Sequence, residues 1–551
     1  MSRSAQQGSF MTEERTDRLS VLEKQIVAHL FVLRPTMASY LGLHEYDGLL
    51  PDLSKESTDR WTATARELLE RLDGVPEPDL EVGRRLDRNL LRLLLEGNLF
   101  DLSETRELDR NPMSYLFHPD LTNYISRDYA PVAQRVAAIV RVLTLVPSLF
   151  ETAKQRLDPV LPRPFVTLAI QIAAGLPAHF EEGETFAGTG SAELRDEVHK
   201  AREGAEAAVR SFAEWLRTER LPRVTEEFAL GPVRFQRLLW VREGLTTSVD
   251  EVLQRGREDL KRNQDRLAEI ARTEGVTPDQ LVARLYENHP SPQELIPLVR
   301  RLTDEIREFV RTEKLVTIPE PEVCHVRETP AWARDLWTAA MSPPGPFEKP
   351  VDGIYWVTSV DPTWTPAQAE GWMRTLNHAM LKNTTVHEVW PGHYLQSLHF
   401  RKTSQTLARK VWFSYSFIEG WAHYCEQLAL EAGFDGRSTS AQVTQLHDAL
   451  LRDCRLIASI GMHTQGMSVA EAARLLRTEA HLEDVHAQRE AIRGTYNPEY
   501  FCYTLGKIAI LDVRARYLAK KFHGSLQAFH DELLGFGTPP IGFLDPLLGG
   551  T

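Results

Sequence analysis

A chain of 551 residues, 42% hydrophobic and 26% charged, has the material for a large buried core and none of the bias of a disordered protein. A formal charge of -13, with arginines scattered through mixed-sign stretches and no basic stripe, argues against a nucleic-acid partner. Cysteines at 324, 425, 454 and 502 are too widely spaced for a disulfide framework or a thiolate metal site.

From the start of the chain, MSRSAQQGSFMTEERTD carries no apolar signal core. No run approaches the roughly 18 apolar residues of a membrane span, so the expected address is the cytoplasm, with no membrane partner. Residues 1–15 are expected as a flexible tail. Beyond them the pattern is helical nearly throughout. Leu86, Leu90, Leu93 and Leu94 keep helical spacing, as do Val136, Ile139, Val140 and Leu143. Ser248-x-x-Glu251, Thr277-x-x-Gln280 and Ser468-x-x-Glu471 are capping-box sequences. Thr277-Pro278 and Thr365-Pro366 add proline at the first helical position.

The Pro-rich segment 315–350 reads as a connection between an N-terminal helical lobe (16–320) and a C-terminal one (321–551). After it, Gly353–Val360 is aromatic and β-branched, the strand candidate of the chain. Such a strand either takes an extended peptide along a sheet edge or is purely structural. The expected fold is therefore mainly α, a large two-lobed helical unit with a deep cleft and a small β element.

The chemistry concentrates at His387-Glu388-Val389-Trp390-Pro391-Gly392-His393. Zinc hydrolases commonly use His-Glu-x-x-His on one helix, where residues four apart lie about 40° apart and face one metal. Here the second histidine stands six positions on, roughly 240° round a regular helix. A two-residue bulge at Pro391-Gly392 would bring His393 back to the metal side. The alternative is a helix ending at Pro391 with His393 a capping or surface histidine. Glu388, beside the first histidine, is placed to accept a proton from an activated water. Downstream, Glu419, His423 and Glu426 share one face of an apolar segment. Buried glutamates are rare unless paired or bound to metal. Glu419 can supply a third ligand, or these acids pair with Arg452 and Arg455. His378, His399, His481 and His486 read as surface or packing groups, and Trp390 and Trp421 as core.

HEVWPGH, EGWAHYCEQL, LRDCRLIASIGMH, the Tyr496–Lys507 segment and the opening PTMASYLGLHEYDGLLPDLS resemble the bacterial DUF885 family, over most of the chain. That family looks like the helical gluzincin peptidases. The resemblance implies zinc held by His387, His393 and Glu419, with Glu388 as general base. It also implies an oxyanion-steadying tyrosine, Tyr496 or Tyr503, and His463 near the substrate. Glu499-Tyr500-Phe501 and Ser459 depart from the family pattern. The function so implied is a zinc-dependent hydrolase, most simply a peptidase acting on a peptide or small amide. A metal hydrolase of non-peptide amides or esters stays open, as does a metal-containing binding protein without turnover. For pure binding, the base Glu388 has no use. Arg493, Arg514 and Lys507 lie near the tyrosine segment, where one of them could clamp a C-terminal carboxylate or all could be ordinary surface charges.

Overall fold

The computed structural model describes residues 3–330, 334, 337–520 and 524–548. The fold is mainly α, with one small three-stranded sheet. Two of the three expected capping boxes, at Thr277 and Ser468, form in full. The third forms by half, the Ser248 side chain accepting the Glu251 N–H, and Thr365, expected only as a helix start before Pro366, makes a full box.

The chain divides into two units, Met1–Phe228 with Gly345–Pro350 and Thr406–Val411, and Ala229–Pro344 with Val351–Gln405 and Trp412–Thr551. In the first unit, α1 (Arg3–Leu33) meets no proline before Pro35. It therefore already covers most of the stretch expected as a tail; residues 1 and 2 lie outside the described residues. Helix α2 (Val82–Leu99) buries Leu86, Leu90 and Leu93 as their spacing predicts. Next come α3 (Val132–Arg156), α4 (Arg163–Gly188) and α5 (Ala192–Trp215), which pack on one another. Their core includes Val136, Ile139 and Leu143 of α3, and Phe150 stacks on Phe212 with ring centroids 4.8 Å apart. By length and composition α3 is also the one helix among the described residues apolar enough to cross a membrane. It escapes a search for uninterrupted apolar runs because Arg135 and Arg141 punctuate it. Half of that apolar stretch is buried inside the unit.

The boundary between these units falls at residue 228, whereas the sequence reading divides the lobes near 320. Residues 229–320 belong with the second unit because their polar groups find partners there. Helix α6 (Pro232–Glu243) is followed by α7 (Val249–Thr273), which packs against α11 (Thr439–Thr464). Asn263 of α7 donates to Asp453 at 2.7 Å, and Asp259 pairs with Lys507 at 2.8 Å with both side chains 1% exposed. Local sequence signals cannot show such pairings.

The Pro-rich connection also proves structured. It contributes β1 (Val323–Glu328) and β2 (Ala339–Ser342), which flank β3 (Asp352–Val357), the expected strand. β1 runs parallel to β3, Val323 opposite Asp352, and β2 antiparallel, Ala339 opposite Val357. Both hydrogen-bonding edges of β3 are thus taken, so β3 cannot itself accept an added strand. Its Tyr355 is fully buried, with its hydroxyl 3.4 Å from Thr385 Oγ1.

Candidate metal centre

Helix α8 (His378–Glu388) starts at an Asn377 cap whose side chain accepts the Met380 N–H at 3.0 Å. His387 and Glu388 occupy its last turn. The chain then turns a corner through Val389 and a cis Trp390–Pro391 peptide, and α9 (His393–Thr403) begins at His393. There is no bulge within one helix. One helix stops and another starts, yet both histidines face the same point. The Gly392 N–H donates to Val386 O at 3.1 Å and the Leu395 N–H to Val389 O at 3.2 Å, so the corner keeps its backbone bonded. Only glycine fits at 392, because a Cβ there would run into the carbonyl of His387. The indole N–H of Trp421 donates to Pro391 O at 2.8 Å, pinning the corner from α10 (Tyr415–Glu431).

Helix α10 supplies Glu419. Its N-terminus is set by Ser414, which accepts the Phe417 N–H, and by the buried Glu243 at the end of α6. The Glu243 carboxylate accepts from the Ser414 hydroxyl at 2.6 Å and the Ser416 N–H at 3.0 Å. Helix α13 (Cys502–Lys520) crosses α10 where Gly420 meets Gly506; a Cβ on either would strike the other helix's backbone. This contact sets Glu419, next to Gly420, beside Tyr503, one turn before Gly506.

At the centre, Glu419 Oε2 lies 3.4 Å from His387 Nε2 and 3.5 Å from His393 Nε2. One ligand atom from each of the three residues falls within 4.8 Å of the others. Behind His387, Nδ1 lies 2.7 Å from Glu426 Oε1, which makes Nδ1 the donor, so that the neutral ring turns its Nε2 lone pair toward the centre. Glu426 also meets His423 Nδ1 at 3.0 Å and Arg452 at 3.0 and 3.2 Å. Burial opposes its charge, but Arg452, His423 and His387 outweigh that and hold the carboxyl well below its ordinary range. The two acids of the motif thus divide. Glu419 joins the histidines, and Glu426 takes the arginine pairing and buttresses His387.

Burial alone would lower the His387 pKa, yet Glu419 and Glu426 push it up to about 10. Burial likewise opposes the Glu419 charge, but His387 and His393 hold its carboxyl well below the ordinary range. A centre with this balance favours positive charge, whether protons or a cation.

Glu388 is half-buried and stands outside the converging triad. It lies near β3: after burial, its charge is the largest influence raising the Tyr355 pKa. Tyr503 is half-buried, and burial with the Glu419 charge pushes its phenol up to about 12. The guanidinium carbons of Arg452 and Arg455 sit 5.5 and 5.2 Å from its ring centroid. Tyr496, on α12 (Asp484–Tyr496), has Arg493 and Glu490 as its charged neighbours, with no member of the triad among them. Of the two tyrosines the structure brings Tyr503 to the centre.

His463, expected near the substrate, has backbone partners at both ring nitrogens. Its Nδ1 accepts the Leu230 N–H at 3.3 Å, so its Nε2–H donates to Gly494 O at 2.8 Å. Buried to 2% exposure, its pKa falls to about 4. Both ring nitrogens are spent on backbone, which makes it a structural tie between α11 and α12. Ser459 and the Pro498 stretch, where the family pattern is broken, meet in space: the Ser459 hydroxyl donates to Pro498 O at 2.6 Å.

The Glu243 cap gives an expected pH dependence. Burial raises its pKa to about 7, above the usual carboxylate value. A raised carboxyl contributes stability below about pH 4.5 that is lost as pH climbs through about 7. Denaturation at pH 5 and pH 8 should show wild type losing up to about 3 kcal/mol that Glu243→Gln does not lose. Equal pH dependence in the two proteins would contradict this origin.

Two solved structures share the fold. One, described as a putative lipoprotein of unknown function from Shewanella oneidensis, is 23% identical with a TM-score of 0.79, covering 96% of this chain and 99% of that one. The other, a putative lipoprotein from Colwellia psychrerythraea, is 17% identical with a TM-score of 0.82, covering 97% and 98%. No curated protein sequence matches. A sequence profile described as bacterial protein of unknown function (DUF885) matches residues 35–548, nearly the whole chain, and the protein therefore belongs to the DUF885 family.

Proposed function

We propose that the protein is a zinc-dependent hydrolase of the peptidase type. The observation that carries this reading is the convergence of His387, His393 and Glu419, with Glu426 behind His387 and Glu388 outside the ligand set. The donor chemistry fits zinc. Two imidazoles and one carboxylate are a common catalytic zinc set, which keeps one position open. Glu419 Oε2 is moreover a buried oxygen with no hydrogen-bond partner among the described residues, aimed between two imidazole nitrogens. Such an orphan acceptor is costly unless something positive engages it.

His387, His393 and Glu419 would hold the ion, and Glu426 and Arg452 would orient His387 from behind. When bound, zinc supplies Lewis acidity toward a carbonyl and makes water acidic near neutral pH. Glu388 accepts the proton of the attacking water and delivers it to the leaving amine. The Tyr503 hydroxyl, with a pKa too high for it to ionise near neutrality, stays a donor and steadies the oxyanion.

The test is digestion of a mixed peptide library by the purified protein, with and without chelator, followed by zinc readdition. Hydrolysis should stop on chelation and return with zinc. Tyr503→Phe should cost on the order of 3 kcal/mol in the barrier with metal content unchanged, while Tyr496→Phe stays near wild type. A zinc-loaded wild type that cuts no peptide contradicts the proposal.

A further inference from the structure

None of the three converging ligands comes from the opening motif, residues 35–54; its polar side chains gather around His44 instead. His44 and Asp47 bracket one short helical turn, His44–Tyr46. His44 Nδ1 lies 3.2 and 3.3 Å from the two Asp47 carboxylate oxygens. Asp47 is buried and also accepts the hydroxyls of Ser39 and, at 2.7 Å, Tyr129. Burial opposes its charge, but His44, Ser39 and Tyr129 hold the carboxyl below its ordinary range. The far nitrogen of the ring, Nε2, lies 3.4 Å from Glu348 Oε1. The ring itself stacks on Tyr129, with centroids 3.6 Å apart and the planes 1° from parallel. Glu348 comes from the link between β2 and β3. The middle of that link, Gly345–Pro350, belongs with the first unit, while both strands belong to the second. The Phe347 N–H donates to Leu41 O at 3.0 Å, and a Cβ on Gly345 would strike the Leu41 carbonyl. Gly42, at φ +96°, in turn leaves room for the Glu348 backbone. Glu348 is buried although the next two residues, Lys349 and Pro350, are exposed.

An imidazole with a carboxylate at each nitrogen needs an N–H on each, and only the doubly protonated ring has two. A singly protonated ring keeps its N–H toward Asp47, the nearer acid, and turns a lone pair toward Glu348. Lone pair and carboxylate repel, so a contact that held the link now pushes it away. We infer that Gly345–Pro350 is a strap latched by His44, closed while the imidazole carries two protons and released when it carries one. Asp47, Glu348 and the Tyr129 phenol are the titratable groups that face the ring. Burial works to lower the His44 pKa, but Asp47 and Glu348 push it up to about 9. The latch is therefore fully made below about pH 6.5, the ordinary histidine value, and is lost as pH climbs through about 9. The strap is closed at neutral pH and gives way in alkali, freeing the loop between two strands of the sheet.

Chymotrypsin tests the latch, because the strap carries a cleavage site after Phe347. Its cutting tracks the fraction of time the strap is open. Cleavage after Phe347 is followed by fragment mass at pH 7 and pH 9.5, each rate divided by that of a free peptide of residues 343–352. On this scale wild type should be cut about tenfold faster at pH 9.5 than at pH 7. His44→Gln carries no charge, and should be cut at pH 7 as fast as wild type at pH 9.5, with no rise between. Glu348→Gln, set against its own peptide, should lose the rise and stay closed at both, since its amide accepts from the charged ring and donates to the neutral one. Equal wild-type rates at the two pH values, or a rise that survives in either variant, overturns the latch. So does a rise at Phe347 matched by cutting after the buried Phe150, which would report unfolding of the whole unit.

Discussion

Glu388→Gln is expected to keep its zinc and to lose peptide hydrolysis by at least roughly a hundredfold, the scale of general-base catalysis. The substitution preserves shape and removes the proton acceptor. Glu388 is half-buried at the end of α8 and is not one of the three groups that converge, so the amide leaves the ligand set intact. Glu419→Gln should behave differently. It removes the charge that both His387 and His393 face at about 3.5 Å, so metal affinity and activity fall together. Metal analysis and kinetics on the same two preparations separate the roles. Zinc lost from Glu388→Gln and kept with full activity in Glu419→Gln would mean the two carboxylates had been exchanged in the assignment.

The second large effect is structural. Gly506→Ala is expected to destabilise the protein by at least about 3 kcal/mol, the upper end of overpacking costs. The added Cβ would meet the carbonyl oxygen of Ser416, an obstacle of backbone that no side-chain rotation relieves. To make room α10 must lift off α13, and Glu419 is carried on α10. Zinc content should therefore drop along with the unfolding midpoint. Gly204→Ala is the control. It lies exposed in α5 with open space around the new methyl, so the same change should stabilise slightly, by about 0.5–1 kcal/mol. If both variants melt like wild type, the Gly420–Gly506 crossing does not hold α10 in place.

How much of this was legible in sequence depended on the range of the interaction. Helix caps at Thr277, Thr365 and Ser468 were readable because both partners lie within four residues. The strand at 352–357 was readable from its own composition. Its neighbours were not: parallel pairing with β1 is fixed by contacts outside either strand, and β1 and β2 lie in a stretch whose prolines suggest a linker. The candidate ligands His387, His393 and Glu419 were legible as residue types at suggestive spacings. The route by which His393 comes round was not. It depends on the Gly392 N–H bonding Val386 and on Trp421 reaching Pro391 O from 30 residues away. Tyr496 and Tyr503 could not be ranked by pattern, since the difference between them is the Gly420–Gly506 crossing. The roles of Glu243 and of the Asp259–Lys507 pair had no local signal at all, because their partners lie some 170 and 250 residues away.

The most direct measurement on the metal centre is elemental analysis of protein purified without chelators, wild type beside His393→Ala. His393 is the test residue because it alone enters the centre from α9, so its loss leaves the Glu426–His387 contact untouched. The expected result is about one zinc per wild-type chain and little in the variant, with the fold retained by circular dichroism. Wild type without metal after zinc loading, or a His393→Ala variant with undiminished zinc, would contradict a centre built on His387, His393 and Glu419.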